Sequence, residues 1–209
     1  MYGLNLSALN LPQPYIVCWL SKIISSSEQT FNETLCKNAP VESFKNQEEA
    51  ENLFAVISSI LTLGGMVGVI VAGPISNNLG RKPTSIIVFL THVLGSILME
   101  ISYQVEIWQL LLIGRFIAGL AGGMTCIVHP IYLSEIGPVG QTGFFGFVFG
   151  LSIIFGTLGT EIIGLPWIFG SYANFHFIFY VLICMSLTGL MFSILSNESP
   201  LFTAYFNNY

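Results

Sequence analysis

Uncharged hydrogen-bonding side chains interrupt several long apolar segments of this sequence, and they are its first candidates for chemistry. Four of them could contact a neutral polar solute: Asn5, Asn10, Thr125 and Thr157. A small-molecule site combines mostly apolar walls with a few well-placed donors and acceptors. The same side chains could instead form hydrogen bonds between helices. At the level of sequence, both readings stay open.

Charged residues give a second set of candidates. Glu161 lies inside an apolar segment, where a carboxylate is a functional candidate unless it reaches water at the membrane surface. Four others lie at the ends of apolar segments: Arg81, Lys82, Glu135 and Glu198. Ion pairs between such ends gain strength from partial burial. The alternative is that the two cations anchor the chain at the membrane surface and the two glutamates are solvated.

The segments that carry these residues predict membrane-spanning helices. Of 209 residues, 53% are hydrophobic and 8% are charged, and the mean hydropathy is +0.75. A helix needs about 20 apolar residues to cross a bilayer, and its backbone groups must be satisfied within the helix. Six spans are predicted, at residues 1–20, 53–75, 84–102, 108–133, 143–165 and 175–196. Because Pro12 and Pro14 interrupt the first span, a truncated helix is predicted there.

One polar loop, residues 21–52, holds more than half of the charged residues. Within it, Asn32-Glu33-Thr34 fits the acceptor pattern for N-glycosylation. This predicts an extracellular loop glycosylated at Asn32, with both chain ends in the cytoplasm. Residues 53–196 then hold helices two to six, and residues 197–209 begin a cytoplasmic linker. The net charge of −5 argues against a nucleic-acid partner.

Nothing in the sequence predicts an enzyme, a cofactor or a metal site. No Cys/His spacing is typical of a metal site, and no nucleophile–base set or phosphate-binding loop is evident. Cys18 lies just before the polar loop and Cys36 within it, and the two could pair on an oxidising side. Cys126 and Cys184 are predicted to be small apolar residues of the membrane core.

Small residues recur at every fourth position in three of the predicted spans. They are Gly64, Gly68 and Ala72 in the second span, Gly114, Ala118 and Gly122 in the fourth, and Gly146 with Gly150 and Gly156 with Thr160 in the fifth. Small residues let helix backbones approach closely, which is a main source of cohesion between helices in lipid. The pattern therefore predicts a tightly packed bundle.

Three strings of residues resemble the motifs of a known family. Residues 73–82, Gly-Pro-Ile-Ser-Asn-Asn-Leu-Gly-Arg-Lys, resemble the Gly-x-x-x-(Asp/Asn)-Arg-x-Gly-Arg-(Arg/Lys) loop of the major facilitator superfamily. Gly114-Arg-Phe, with Pro-Ile-Tyr-Leu-Ser-Glu-Ile-Gly-Pro at 130–138, is similar to a signature of its sugar transporters. Asn-Glu-Ser-Pro at 197–200 resembles the run that follows their sixth helix. Residues 2–13 resemble the first helix of the facilitative glucose transporters.

The resemblance implies an all-α, multi-pass transmembrane bundle of six helices. This would be the N-terminal half of a twelve-helix major facilitator fold, built from a 3+3 inverted repeat. The implied activity is facilitative transport of a hexose such as glucose by alternating access, in the plasma membrane. Arg81, Lys82, Glu135 and Glu198 would form a cytoplasmic latch that releases when the cavity opens inward. Arg115 would lie at the outer start of helix four, where its side chain can reach the interface.

The resemblance also places the substrate pathway, along Asn5, Asn10, Thr125, Gly150, Thr157 and Glu161. Gly150 stands where the family has a sugar-binding glutamine, and Glu161 shares a helical face with it. Asn5 stands where proton-coupled relatives have an aspartate. Because an asparagine does not titrate, passive uniport is predicted, while Glu161 leaves proton coupling open.

Three positions depart from the family pattern by the loss of a cation: Asn78, Thr142 and Leu201. Glu135 and Glu198 are retained, so Arg81 and Lys82 would have to neutralise both. A weaker latch is predicted, with a carboxylate partly lacking a cation.

The chain holds six of the twelve helices of such a carrier, so it is predicted to be inactive alone. Its expected partners are a hexose or similar solute, the lipid bilayer, and the missing C-terminal half or a second copy. Two alternatives remain. One is a non-transporting half-transporter with a regulatory role, and the other is a carrier of a different small organic solute, as Gly150 and Glu161 suggest.

Overall fold

The computed structural model describes residues 1–24, 47–138, 140–165, 167–169, 171, 174–199 and 203, apart from the side chain of Thr142. These residues form helices α1 (Tyr2–Ser7), α2 (Gln13–Ile24), α3 (Gln47–Leu79), α4 (Arg81–Val105), α5 (Trp108–Ile136), α6 (Thr142–Ile163) and α7 (Phe177–Leu195). No β-strand occurs in this described part of the chain. The prediction of an all-α protein is confirmed.

The long helices α3, α4, α5, α7 and the Gly143–Ile163 part of α6 are each long and apolar enough to cross a membrane. They correspond to the second to sixth predicted spans, and the prediction of a multi-pass membrane bundle is confirmed. Helix α3 begins six residues before the predicted start at 53, and Pro74 lies within it. Helix α3 ends four residues after the predicted end at 75, and the other boundaries differ from the predicted ones by at most three residues.

The predicted first span is not a single helix. Helix α1 ends at Ser7, residues 8–12 form turns, and α2 begins at Gln13 with Pro14 in its first turn. Proline lacks an N–H and is tolerated in the first turn of a helix but not in its interior. Within the described residues, five unbroken helices therefore reach membrane length, rather than six.

The predicted 21–52 loop is shortened at both ends, because residues 21–24 belong to α2 and residues 47–52 to α3. Asn32, the predicted glycosylation site, lies outside the described residues. Cys36 also lies outside them. Cys18 is disulfide-bonded, whereas Cys126 and Cys184 are free.

Helix α5 is the centre of the bundle and contacts α1, α3, α4 and α6. Small residues make its contact with α3 possible. A Cβ added to Gly68 would collide with the carbonyl oxygen of Leu120, and one added to Gly119 would collide with that of Leu61. Backbones this close leave no room for side chains between them, in keeping with the predicted tight packing. The predicted row of α3 faces α5, whereas in the row of α5 Gly114 faces α4 and Gly122 faces Tyr2.

Helix α6 is the least buried of the long helices. Its exposed residues include Phe144, Phe147 and Phe155. No described atom lies within 4 Å of a Cβ added to Gly146 or Gly150, so this part of its small-residue row packs against no helix described here. Gly156, one turn and a half further on, packs against α1. The outer face of α6 thus suits lipid or another helix.

Candidate functional site

Arg81 and Glu135 form a two-pronged ion pair at one end of the bundle. Arg81 Nε lies 3.1 and 3.3 Å from the two carboxylate oxygens of Glu135, and Nη2 lies 2.9 Å from Oε1. The side chains are 15% and 13% exposed. Such side-on, partly buried guanidinium–carboxylate pairs are stronger than exposed single contacts. The pair joins the start of α4 to the end of α5.

The turn between α3 and α4 aims Arg81 at this position. Gly80, the residue between the two helices, has φ of 99°, a conformation that side chains other than glycine rarely adopt. The turn also brings Arg81 Nη1 within 2.8 Å of Ser76 O, 3.1 Å of Ser76 Oγ and 3.1 Å of Asn77 Oδ1. The guanidinium is therefore held by the end of α3 as well as by α5.

Glu198 binds backbone amides rather than cationic side chains. Its Oε1 accepts hydrogen bonds from the N–H groups of Arg81 at 2.9 Å, Lys82 at 3.0 Å and Ser199 at 3.1 Å. The first two are unpaired donors of the α4 N-terminus, where a carboxylate also interacts favourably with the helix dipole. Glu198 thereby ties the segment after α7 to α4.

Two further hydrogen bonds complete this group. The Ser199 hydroxyl donates to Glu135 Oε2, and the Tyr132 hydroxyl donates to Asn197 O at 2.6 Å. We call Ser76, Arg81, Glu135, Glu198 and Ser199 the Arg81 cluster. It connects α3, α4, α5 and the segment that follows α7.

The prediction that Glu135 and Glu198 must share two cationic side chains is wrong. One guanidinium serves Glu135, and backbone amides serve Glu198. No hydrogen bond or ion pair of the Lys82 side chain occurs among the described residues. Asn78 is exposed, while Leu201 and the Thr142 side chain lie outside the described part of the structure.

A second polar feature is buried in the middle of the bundle, between α1, α4 and α5. Arg115 Nη1 donates to Asn5 O at 2.9 Å, and Asn5 Nδ2 lies 3.3 Å from His92 Nδ1. His92 Nε2 lies 3.4 Å from Thr125 Oγ1. Thr125 donates its own proton to Ala121 O at 2.9 Å, so its oxygen must accept from His92. This pattern assigns the His92 proton to Nε2, with Nδ1 accepting from Asn5.

The chain of contacts continues along α5. His129 Nδ1 lies 3.3 Å from Thr125 O, and His129 Nε2 lies 3.3 Å from Ser85 Oγ. We call Arg115, Asn5, His92, Thr125, His129 and Ser85 the buried polar chain. Neither histidine was predicted from the sequence. A usable signal was the spacing of Thr125 and His129, which places two polar residues on one face of an apolar span.

Arg115 does not reach the membrane interface as the sequence predicted. It lies in the second turn of α5 and is 2% exposed. Among the described residues, its Nε and Nη2 atoms have no hydrogen-bond partner. The place of Arg115 near the start of the fourth predicted helix agrees with the resemblance, whereas the expectation that its side chain reaches the interface is contradicted by this burial.

The other predicted pathway residues fall into separate places. Asn10 Nδ2 donates to Glu161 Oε1 at 3.1 Å, which joins the turn after α1 to α6 near the surface. Thr157 donates to Ile153 O within its own helix at 2.7 Å, and its carbonyl accepts from Ser7 Oγ at 3.2 Å. Gly150 contacts none of these residues. The structure thus brings Asn5 and Thr125 together through His92, and Asn10 and Glu161 directly.

Comparison with known proteins decides the family. Residues 1–208 match the family model described as sugar (and other) transporter. The chain belongs to this sugar transporter family. Its match is to the N-terminal half of a major facilitator transporter, and the members it matches are transporters rather than enzymes.

The chain is similar to curated members of the sugar transporter family over most of its own length. It is 30% identical over 200 residues to facilitated glucose transporter member 9 of Homo sapiens, covering 96% of this chain and 35% of that protein. It is 29% identical over 201 residues to member 4 of Homo sapiens, covering 95% of this chain and 37% of that protein. The chain therefore spans about a third of the length of these relatives.

Solved structures share its fold. The crystal structure of a D-xylose-proton symporter covers 97% of this chain with a TM-score of 0.65 and 18% identity. The inward-open xylose transporter of E. coli covers 96% with a TM-score of 0.66 and 19% identity. In both cases the match spans 48% of the solved chain. The chain has the fold of half of a major facilitator protein.

Proposed function

We propose that this chain supplies the N-terminal half of a facilitative carrier that moves a hexose such as glucose by alternating access. The observation that carries the proposal is the Arg81 cluster, set in a chain that matches the sugar transporter family over residues 1–208. The cluster holds together helix ends that must separate for a cavity to open at that end. Because its bonds are polar, water can take their place when the helix ends separate.

The proposed carrier is a uniporter. Asn5 lies against Arg115 through its backbone oxygen, and its amide cannot load a proton. The carboxylate of Glu161 bonds the neutral amide of Asn10 at the surface, away from the buried polar chain. The buried polar chain holds no carboxylate, and the members that could load a proton are His92 and His129, on α4 and α5 rather than on α1. The uptake assay below therefore includes a protonophore.

In the proposed orientation, the Arg81 cluster faces the cytoplasm and the 21–52 region faces outward from the plasma membrane. The exposed aromatic face of α6 and the open space beside Gly150 would meet a C-terminal half or a second copy. Without one, the walls of a solute cavity are incomplete. We therefore expect little transport by this chain alone.

Glucose uptake tests the proposal in cells without endogenous hexose carriers. The chain is expressed alone, or together with the C-terminal half of human facilitated glucose transporter member 4. Saturable uptake is expected from the pair, with little from either part, and a protonophore should leave it unchanged. Collapse of uptake on adding the protonophore would contradict uniport. Saturable uptake by the chain alone would show that two copies suffice.

A carrier of a different small organic solute is the second candidate, and Gly150 favours it. Where the resemblance places a sugar-binding glutamine, this chain presents no side chain, and the space beside it is open. The uptake assay separates the two candidates. A pair that reaches the cell surface without carrying glucose, while the intact human relative does carry it, would favour the second.

A further inference from the structure

The guanidinium of Arg115 is a buried cation with most of its hydrogen-bonding capacity unused. The residue is 2% exposed, and among the described residues its one hydrogen-bond partner is the backbone oxygen of Asn5, 2.9 Å from Nη1. Nε and Nη2 are buried and have no partner in that described part of the chain. An unpaired charge within a membrane-spanning bundle costs several kcal/mol unless an opposite charge or hydrogen bonds compensate it.

The two atoms without partners, Nε and Nη2, are those with which a guanidinium binds a carboxylate side-on. The N–H groups of Nε and Nη2 point the same way and form the side edge of the guanidinium, which binds a carboxylate through two parallel hydrogen bonds. The chain shows this directly at its other arginine. Arg81 uses the same edge, Nε and Nη2, to hold the carboxylate of Glu135.

No carboxylate that the structure describes on the helices around Arg115 is paired with it. Glu100 on α4 is buried, but its Oε1 accepts a hydrogen bond from Gln104 Nε2 at 3.1 Å and it forms no ion pair with Arg115. Glu135 and Glu198 are engaged in the Arg81 cluster, and Glu161 bonds Asn10. From α1 the guanidinium meets Asn5, whose side chain is neutral. Among the described residues, no carboxylate forms an ion pair with Arg115.

We propose that the Nε–Nη2 edge of Arg115 is a binding site for one small monovalent anion. The burial of the edge limits the ligand to a halide ion or a carboxylate of about the size of formate. Entry requires a displacement of α1, which covers the guanidinium through Asn5 and is followed by turns at 8–12. The site does not depend on which solute the protein carries.

The test is thermal unfolding of the purified chain in detergent, at one ionic strength, in sodium chloride, sodium formate or sodium gluconate. Gluconate is the control because it is too large for the enclosed edge. Chloride or formate should raise the midpoint by roughly 2–4 °C over gluconate. A larger effect of chloride identifies a halide site, and a larger effect of formate identifies a carboxylate site.

Three variants test whether the effect of the anion on the unfolding midpoint arises at Arg115. Arg115→Gln should abolish the difference between anions. Asn5→Asp places a carboxylate beside Arg115 and should remove most of the difference while raising the midpoint in gluconate. Arg81→Gln is the matched control, because it lowers the midpoint but should keep the full anion effect.

Equal wild-type midpoints in the three salts would overturn the proposal. An anion effect that persists in Arg115→Gln would also overturn it. If Arg115→Gln does not fold, Asn5→Asp decides, since an unchanged anion effect in that variant places the bound anion elsewhere. None of these outcomes bears on hexose uptake, so the site and the transport function fail independently.

Discussion

Glu198 caps α4 with a single carboxylate oxygen, so its contribution can be measured residue by residue. Glu198→Ala removes the acceptor for two helix N–H groups and should lower the free energy of unfolding by about 1–2 kcal/mol. Glu198→Gln keeps an acceptor oxygen but loses the charge, so we expect a smaller loss, about 0.5–1 kcal/mol. Thermal unfolding in detergent measures the loss of stability in each variant, and hydrogen exchange at the amides of Arg81 and Lys82 measures the loss of the cap.

Glu49→Gln is the control for this cap. Glu49 is also an acidic residue in the first turn of a helix, α3, but it is exposed and accepts no hydrogen bond there. If Glu198→Ala is no more damaging than Glu49→Gln, the capping bonds contribute nothing to stability.

His92 joins Asn5 to Thr125 in the buried polar chain, and its removal should be costly. His92→Leu leaves Asn5 Nδ2 with only the carbonyl of Met1, at 3.4 Å. We expect a loss of about 1–3 kcal/mol, the cost of a buried donor without a good acceptor. The neighbouring Thr91→Val is the control, because Thr91 donates only within its own helix, to Ile87 O. Similar midpoints for the two variants would contradict the assigned hydrogen bonds.

At the scale of single residues, the sequence predicted which charged residues lie in the candidate site better than it predicted their hydrogen-bond partners. Motif spacing singled out Arg81, Glu135 and Glu198, because charges at span ends stand out against apolar neighbours. It could not show that Glu198 meets backbone amides, since capping depends on where the chain turns after α7. It also missed the burial of Arg115, which depends on how α1 packs against α5.

At the scale of the helices, the contact between α3 and α5 tolerates little change in side-chain size, because the two backbones touch. Gly68→Ala would press its new methyl group into the Leu120 carbonyl, and we expect a loss of about 1–3 kcal/mol through displacement of the helices. Gly65→Ala is the matched variant on the same helix. The nearest atom to its added Cβ, Gly119 O, lies at 3.7 Å, an ordinary contact.

Gly65→Ala should therefore be neutral or raise stability by up to about 1 kcal/mol through helix propensity. Comparing the unfolding midpoints of Gly68→Ala and Gly65→Ala separates the effect of helix packing from that of helix propensity. Equal effects of the two substitutions would show that the helices are not in register as described.

The helices themselves followed from apolar length, and the small-residue rows predicted close packing but not which helices meet: α3 meets Gly119 of α5, which lies outside the predicted row. The break in the first span was only partly predictable. Pro12 and Pro14 indicated an interruption, but the turns at 8–12 also depend on α1 packing against α6 through Gly3 and Gly156. That contact is between residues far apart in sequence, and no local pattern shows it.

For the whole molecule, orientation is a prediction that Asn32 can test. If the 21–52 region is extracellular, glycosidase treatment should increase gel mobility, and Asn32→Gln should remove that shift. Asn197→Gln is the control, because Asn197 also begins an Asn-x-Ser tripeptide but lies at the Arg81 end of the bundle. A shift that depends on Asn197 instead would invert the proposed topology.

The central claim is that the Arg81 cluster gates a sugar carrier, and uptake by the paired chains tests it most directly. Arg81→Gln, Glu135→Gln and the double variant are compared with wild type at equal surface expression, with Lys82→Gln as the control. Each single variant should lower the maximal rate about tenfold, and the double variant should be no slower than the slower single, because both residues act through one ion pair. Lys82→Gln should transport at the wild-type rate. Wild-type rates in both single variants, or losses that multiply in the double variant, would contradict the claim.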